Sequence, residues 1–372
     1  MSYDRNKPFN DLRSLPPSAD ITDDVEVLKK LVVTSRALAE ANSTVKRLPN
    51  PYMLINTIAL QEAKASTAIE NIFTTEDELY KAVSDTLMEE NINLNPGTKE
   101  VLRYREALWK GYSALENKEG IDLESIVEVF RQIKNSTEGL RPPQSLTTIN
   151  RGQSEFRSGE VIYTPPRGDG VIEAMMANLL EYLNDDEKFP TDPLLKMCVA
   201  HYQFEAIHPF PDGNGRTGRV LNLLYLVKKG LLDQPVLYLS KYIIVNKDDY
   251  YYYLGTVTQR GSWKPWIMFM LEAIEKTAQL TSLLISNILN QMDATLVQAK
   301  KTIKWYNKDV NEILFSQPYI RPKLLGKALN ITSRTTLTKY FNELVAAKIL
   351  NQSKDGREVY YINGDLVRIL EG

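Results

Sequence analysis

The chain has 372 residues, of which 43% are hydrophobic and 25% charged, and its formal net charge is −2. These proportions are ordinary for a globular protein of two or three domains and exclude a charge-driven affinity of the whole molecule for nucleic acid or membrane. One cysteine, Cys198, excludes an internal disulfide framework and a cysteine-cluster metal site.

The first residues, MSYDRNKPFNDL, lack the basic, apolar, small-residue order of a secretory leader. No run reaches the roughly 18 apolar residues of a membrane span, so the expectation is a soluble, cytoplasmic protein without membrane contact. Residues 22–47 and 52–71 carry helical periodicity on either side of a Leu48-Pro49-Asn50-Pro51 loop. Thr75 followed by Glu78 has the form of a capping box opening the next helix. Further helices are expected near 97–117, 122–135, 170–184, 192–206, 216–231, 247–259 and 263–300. The best strand, 159–164, alternates and stops at Pro165-Pro166, which suits a hairpin or flap on an edge.

The pattern changes near residue 303. A short helix (323–329), a turn at Asn330-Ile331-Thr332, a helix capped by Ser333 and running to about Lys348, and strands Ile349–Gln352 and Glu358–Ile362 follow in turn. This is the outline of a winged helix-turn-helix. Its 11 Lys or Arg against 7 Asp or Glu make it mildly basic, which leaves DNA contact, protein docking and dimerisation open.

The densest chemistry lies in Ile207–Arg219, IHPFPDGNGRTGR. Asp-Gly-Asn-Gly favours a turn whose N–H groups aim at one point, and a helix restarts after it; such a helix N-terminus is an anion site. Arg216 and Arg219 project from one face of that first turn and suit a di- or triphosphate. Asp212 beside a polyphosphate suits Mg²⁺, and His208 is placed as a base for an attacking hydroxyl. Pro209 and Phe210 are expected to anchor the loop, and His201 to be a core histidine. His201, Glu205 and His208 could instead share a helix face as metal-hydrolase ligands. The helical body could also serve as a nucleotide sensor for a winged-helix regulator.

The run His208-Pro-Phe-Pro-Asp-Gly-Asn-Gly-Arg216-Thr-Gly-Arg219 resembles the signature of the Fic (Fido) family at every fixed position. Glu160–Pro166 resembles that family's flap, Ser66-Thr-Ala-Ile-Glu70-Asn71 its inhibitory helix motif, and Asp249-Tyr250-Tyr251, more weakly, the segment on the adenine side. The resemblance implies a mainly α fold: a Fic-type helical core with a β-hairpin flap, plus the C-terminal winged helix-turn-helix. The implied divisions are 1–95 (helical region with inhibitory helix), 96–302 (catalytic core) and 303–372 (winged helix). It implies transfer of AMP from ATP to a Ser, Thr or Tyr hydroxyl of a protein docked on the flap near Glu160–Thr164, with release of pyrophosphate. His208 would be the base and Asp212 the Mg²⁺ ligand. ATP would lie on Gly213, Asn214, Gly215, Arg216, Thr217, Gly218, Arg219, Tyr250 and Tyr251. Glu70 would inhibit by pairing with Arg219, with Ser66 holding Glu70. The same site could remove AMP, and the resemblance leaves the target and a homodimer open.

Overall fold

The computed structural model describes residues 3–48, 51–86, 94–115, 118–151, 159–356 and 358–371. Helices α1 (Ala19–Thr22), α2 (Val25–Val45), α3 (Pro51–Ile69), α4 (Glu76–Thr86), α5 (Pro96–Leu115) and α6 (Leu123–Lys134) precede a hairpin, β1 (Ile149–Arg151) and β2 (Glu160–Tyr163). Then follow α7 (Val171–Asn184), α8 (Pro193–Ile207), α9 (Asn214–Lys228), α10 (Leu239–Val245), α11 (Lys247–Arg260) and the 40-residue α12 (Trp263–Thr302). The C-terminal part comprises α13 (Lys308–Leu314), β3 (Tyr319–Ile320), α14 (Pro322–Leu329), α15 (Arg334–Ala346), β4 (Asn351–Asp355), β5 (Glu358–Ile362) and α16 (Gly364–Glu371). The fold is mainly α, as expected. No helix among the described residues is long and apolar enough to cross a membrane.

Local chemistry sets many of the helix starts. Asp24 caps α2 by accepting from the N–H groups of Glu26 and Val27 at 2.9 and 3.1 Å. The capping box forms: Thr75 Oγ1 accepts from Glu78 N at 3.1 Å, and the Glu78 carboxylate accepts from Thr75 N at 3.3 Å. Periodicity identified α2, α3, α5–α9, α11 and α12 to within a few residues, whereas α10, α13 and α16 are short and were not anticipated.

The core is built around α8 and α9, which are buried on nearly every face. Helices α3, α5, α6, α7 and α12 surround them, and α2 lies along α12. A loop at residues 208–213 joins the two buried helices, so the central motif sits at their junction.

The C-terminal part has a small core of its own, including Val310, Leu314, Ile320, Leu325, Phe341, Leu344 and Tyr361. Its three-stranded sheet has the order β3-β5-β4, all antiparallel, and Ser333 caps α15 as expected. The expected division at residue 303 falls at the end of α12, yet Phe315, Tyr319, Tyr360, Leu366 and Leu370 pack into the main core. Polar contacts tie the sheet to α4. Asp85 accepts from Arg321 at 2.8 Å and from the Tyr360 hydroxyl at 2.7 Å, and Asp77 accepts from the Tyr319 hydroxyl at 2.7 Å.

The Asp85–Arg321 pair is buried on both sides. Removing one partner of such a pair strands the other charge. Asp85→Ala is expected to lower unfolding stability by about 3 kcal/mol, the low end of the range, because Glu358 still holds Arg321. Denaturant unfolding checks this, and a loss below about 1 kcal/mol would show that the pair does not anchor the sheet.

Candidate active site

Helix α8 ends on His208, which adopts the left-handed conformation (φ 52°, ψ 59°) and donates its N–H to Phe204 O at 2.9 Å. A non-glycine residue there costs free energy unless its surroundings hold it. Buried Arg141 does so: Nε donates to His208 O at 2.7 Å, Nη2 to Ile207 O at 3.2 Å and to Pro166 O, and Arg141 N–H to Pro209 O at 2.9 Å. The next turn is locked from within. Asn214 Oδ1 accepts from Phe210 N–H at 2.9 Å while its Nδ2 donates to Phe210 O at 2.8 Å, and Phe210 stacks on Phe130 at 4.1 Å.

Burial and the Arg141 charge push the His208 imidazole down to about 4, so it is a neutral base near pH 7. Four residues on, the Asp212 side chain is 69% exposed and accepts from Lys134 Nζ at 2.6 Å. Partial burial works to raise this carboxyl, but the hydrogen bond and charge of Lys134 outweigh it and hold the group below its ordinary value.

Gly213 (φ 76°) then opens α9 with no side-chain cap. The N–H groups of the first turn therefore start the helix without an intrahelical partner, which is the chemistry of an anion site. Gly213 also admits Lys134, whose Cδ would lie 3.0 Å from an added Cβ.

Both motif arginines are buried, and each has an acid. Arg216 Nη1 pairs with Glu100 of α5. Arg219 donates Nε to Ser66 Oγ at 2.7 Å, Nη2 to Ser66 O at 2.9 Å and Nη2 to Glu70 Oε1 at 2.8 Å. Glu70 closes the C-terminal end of α3 and lies against Gly215, where an added Cβ would come within 2.5 Å of Oε1. Its carboxylate therefore sits beside the uncapped start of α9. The chain turns away at Asn71 (φ 60°), a left-handed position that Asn or Gly tolerates.

Residues 28–113 match the Fic/DOC family N-terminal domain, residues 121–226 the Fic/DOC family domain, and residues 289–366 the C-terminal domain of SoFic-like protein adenylyltransferases. The chain belongs to the Fic/DOC family.

It is 29% identical over 185 residues to protein adenylyltransferase Fic of Aedes aegypti, covering 49% of this chain but only 33% of that protein. A probable protein adenylyltransferase of Aquifex aeolicus is 25% identical over 277 residues, 68% of this chain and 78% of the relative. A Fic family protein of Desulfovibrio desulfuricans shares the fold at TM-score 0.56 and 19% identity, covering 94% of this chain and 98% of its own.

Within this Fic/DOC site several of the expected residues also carry structural contacts. Asn214 braces the loop, and buried Thr217 returns its hydroxyl to Gly213 O at 2.9 Å. Gly218 is a packing position where an added Cβ would meet Phe204 at 3.0 Å and Glu205 at 2.6 Å. Tyr250 is a core residue, bonded to His201 Nε2 at 2.9 Å and packed on Trp266, whereas Tyr251 is 38% exposed on the rim. Ser66 holds Arg219 rather than Glu70, because a fully buried guanidinium takes every acceptor within reach. His201, Glu205 and His208 do not gather, and no three His, Cys, Asp or Glu side chains among the described residues are placed to share a metal ion.

Four charged residues outside the motif went unrecognised: Arg141, Lys134, Glu100 and Glu62. Glu62 is buried, accepts from Ser240 N at 2.9 Å and from the Tyr104 hydroxyl at 3.2 Å, and is raised by its burial. Glu205 is likewise pushed up to about 7 by burial, against the opposing Arg219 charge.

The only two histidines in the sequence are both depressed, His201 to about 3 and His208 to about 4, in each case chiefly by burial. With folded values below the unfolded one, the folded chain binds fewer protons than the unfolded chain between them. Their contribution to stability is thus full above about pH 6.5 and is lost as pH falls toward 4. NMR titration of the imidazoles from pH 8 to 5 is expected to show no midpoint near 6.5. A ring titrating above about pH 6 would contradict the depressed values.

Proposed function

We propose that this Fic/DOC chain transfers AMP from ATP to a Ser, Thr or Tyr hydroxyl of a protein, releasing pyrophosphate, and that Glu70 restrains the reaction. The observation that carries the reading is the juxtaposition of a neutral imidazole, an uncapped helix N-terminus and a buried arginine whose free face is filled by a carboxylate. His208 accepts the proton of the attacking hydroxyl, whose oxygen bonds to the α-phosphorus as the bond to the β-phosphate oxygen breaks. The N–H groups at the start of α9 and the Arg216 and Arg219 guanidiniums hold the phosphates.

Asp212 fits the role of Mg²⁺ ligand: it is exposed, ionised and beside the anion site, and Mg²⁺ needs only one or two carboxylates with substrate phosphates and water. When bound, the ion neutralises charge on the phosphate chain and the departing pyrophosphate. Tyr251 on the rim is the residue of the Tyr250-Tyr251 pair left to face a base.

The Glu70 carboxylate competes with a terminal phosphate for Arg219. At an effective dielectric near 20, unit charges about 4 Å apart interact by roughly 4 kcal/mol, and solvent competition leaves about 1–3 kcal/mol, or about 5- to 150-fold in rate. Glu70→Gly is therefore expected to raise transfer of α-phosphate label from ATP by about that factor, with ATP affinity changed much less. His208→Ala in the Glu70→Gly background should lose the transfer by roughly 10²- to 10⁴-fold while still binding ATP. Label from the γ-phosphate should not appear on protein in any form. Transfer by His208→Ala at the parental rate, or γ-label on protein, would overturn the reading.

A further inference from the structure

We propose that the cleft between α3, α5 and the turn at residues 315–318 is a binding site for a small organic anion, a carboxylate joined to an apolar body. Arg105, the Trp109 indole and the Gln317 amide take its head group. The cleft shares no residue with the site around His208, so the inference does not depend on the function proposed above.

The cleft has a volume of about 760 Å³, within the roughly 300–1,000 Å³ of small-molecule sites. Leu60 of α3, Val83 of α4, Pro318 and Leu324 of α14 give it apolar walls, and Trp109 adds an aromatic one. These walls suit the body of the ligand.

Its polar groups are donors. Arg105 and Trp109 stand four residues apart on α5 and so share a face of that helix. Arg105 is partly buried and makes no hydrogen bond or ion pair among the described residues. Burial pulls its guanidinium below the ordinary value, against the charge of Glu106. The other charges lining the cleft are engaged elsewhere. Lys110 Nζ donates to Gln132 Oε1 at 2.8 Å, and Gln132 Nε2 donates to Glu106 Oε2 at 3.0 Å, which draws both toward α6. Arg105 is left as the cation that an entering anion meets.

Two neutral groups repeat the signal. Trp109 Nε1 and Gln317 Nε2 are closed off from bulk water, and neither finds an acceptor among the described residues. Unpaired buried donors are rare because each forfeits the hydrogen bonds it made to water. Here both belong to side chains of one cleft, beside an unpaired cation. A carboxylate offers about four lone-pair sites and no hydrogen, which matches an arrangement of donors alone. One uncompensated cation calls for one negative charge, which favours a carboxylate over a phosphate dianion.

The donors are held in place before any ligand arrives. Thr57 Oγ1 donates to Ser316 O at 3.0 Å and Asn363 N–H to Pro318 O at 2.9 Å, which fixes the turn that carries Gln317. Tyr112 packs edge-on against Trp109 with ring centroids 5.7 Å apart. Such preorganisation reduces the ordering cost of binding.

The test uses the full chain with isotope-labelled tryptophan. Its four indole N–H signals include that of Trp109, assigned by its loss in Trp109→Phe. Octanoate, benzoate, phenylbutyrate and indoleacetate are titrated in turn, each beside its neutral primary amide. At least one acid is expected to shift the Trp109 signal saturably with Kd at or below about 1 mM, and its amide to bind at least about 10-fold more weakly. Arg105→Met should weaken the acid by at least about 10-fold, and Gln317→Leu by about 3- to 10-fold. Because the guanidinium has no protein partner to lose, Arg105→Met is expected to leave the thermal midpoint of the ligand-free protein unchanged or raised. No saturable shift with any acid, equal binding of acid and amide, or binding untouched by Arg105→Met would overturn the proposal. The comparison of acid with amide needs only the wild type, so it decides even if a variant fails to fold.

Discussion

The buried Arg219 guanidinium is the constraint around which the rest of the site is arranged. A cation this deep in a helical core is tolerable only with acceptors on every side. Ser66 supplies two of them and Glu70 the third, and both come from one turn of α3. The need to bring that turn against α9 explains the absence of a side chain at Gly215 and the left-handed turn at Asn71 that sends the chain away. Lys247 reinforces the turn by donating to Asn71 Oδ1 at 3.1 Å. In the function proposed above, the same pairing makes the site self-limiting, since the Glu70 carboxylate then competes with a phosphate for Arg219.

A second set of contacts fixes the flap relative to the loop. Arg141 bridges Pro166, just beyond β2, to the Ile207 and His208 carbonyls, and Tyr163 anchors β2 on Ala206. These bonds brace β2 against His208, although the chain between them includes two helices. The C-terminal part reaches the same machinery from behind. Its sheet is pinned by Asp77 and Asp85 to α4, the helix that follows Glu70, and Thr57 of α3 donates to Ser316 O at 3.0 Å.

Much of this was legible in the sequence because it is local. Helix periods, the Thr75–Glu78 box, the β2 strand and the glycine-rich turn are written in residues at most a few positions apart, as is the cluster of His208, Asp212, Arg216 and Arg219. The residues that escaped notice act across long separations: Arg141 lies 67 positions from His208, Lys134 78 from Asp212 and Glu100 116 from Arg216. Nothing in their own neighbourhoods marks them. The reading of Ser66 failed for a related reason. Helical spacing puts it on the face of Glu70, but burial of Arg219 between the two helices decides where its hydroxyl goes. Spacing likewise placed Tyr250 and Tyr251 together, and only packing separates the core tyrosine from the exposed one.

The central claim is that one face of Arg219 serves either Glu70 or a terminal phosphate. Crystal structures of wild type and Glu70→Gly, each grown with Mg²⁺ and a non-hydrolysable ATP analogue, test it most directly. The account predicts the γ-phosphate on Arg219 Nη2 in the variant, and in wild type a Glu70–Arg219 pair retained with the phosphate chain displaced. A γ-phosphate bound to Arg219 in wild type with Glu70 still in place, or away from Arg219 in both, would contradict it.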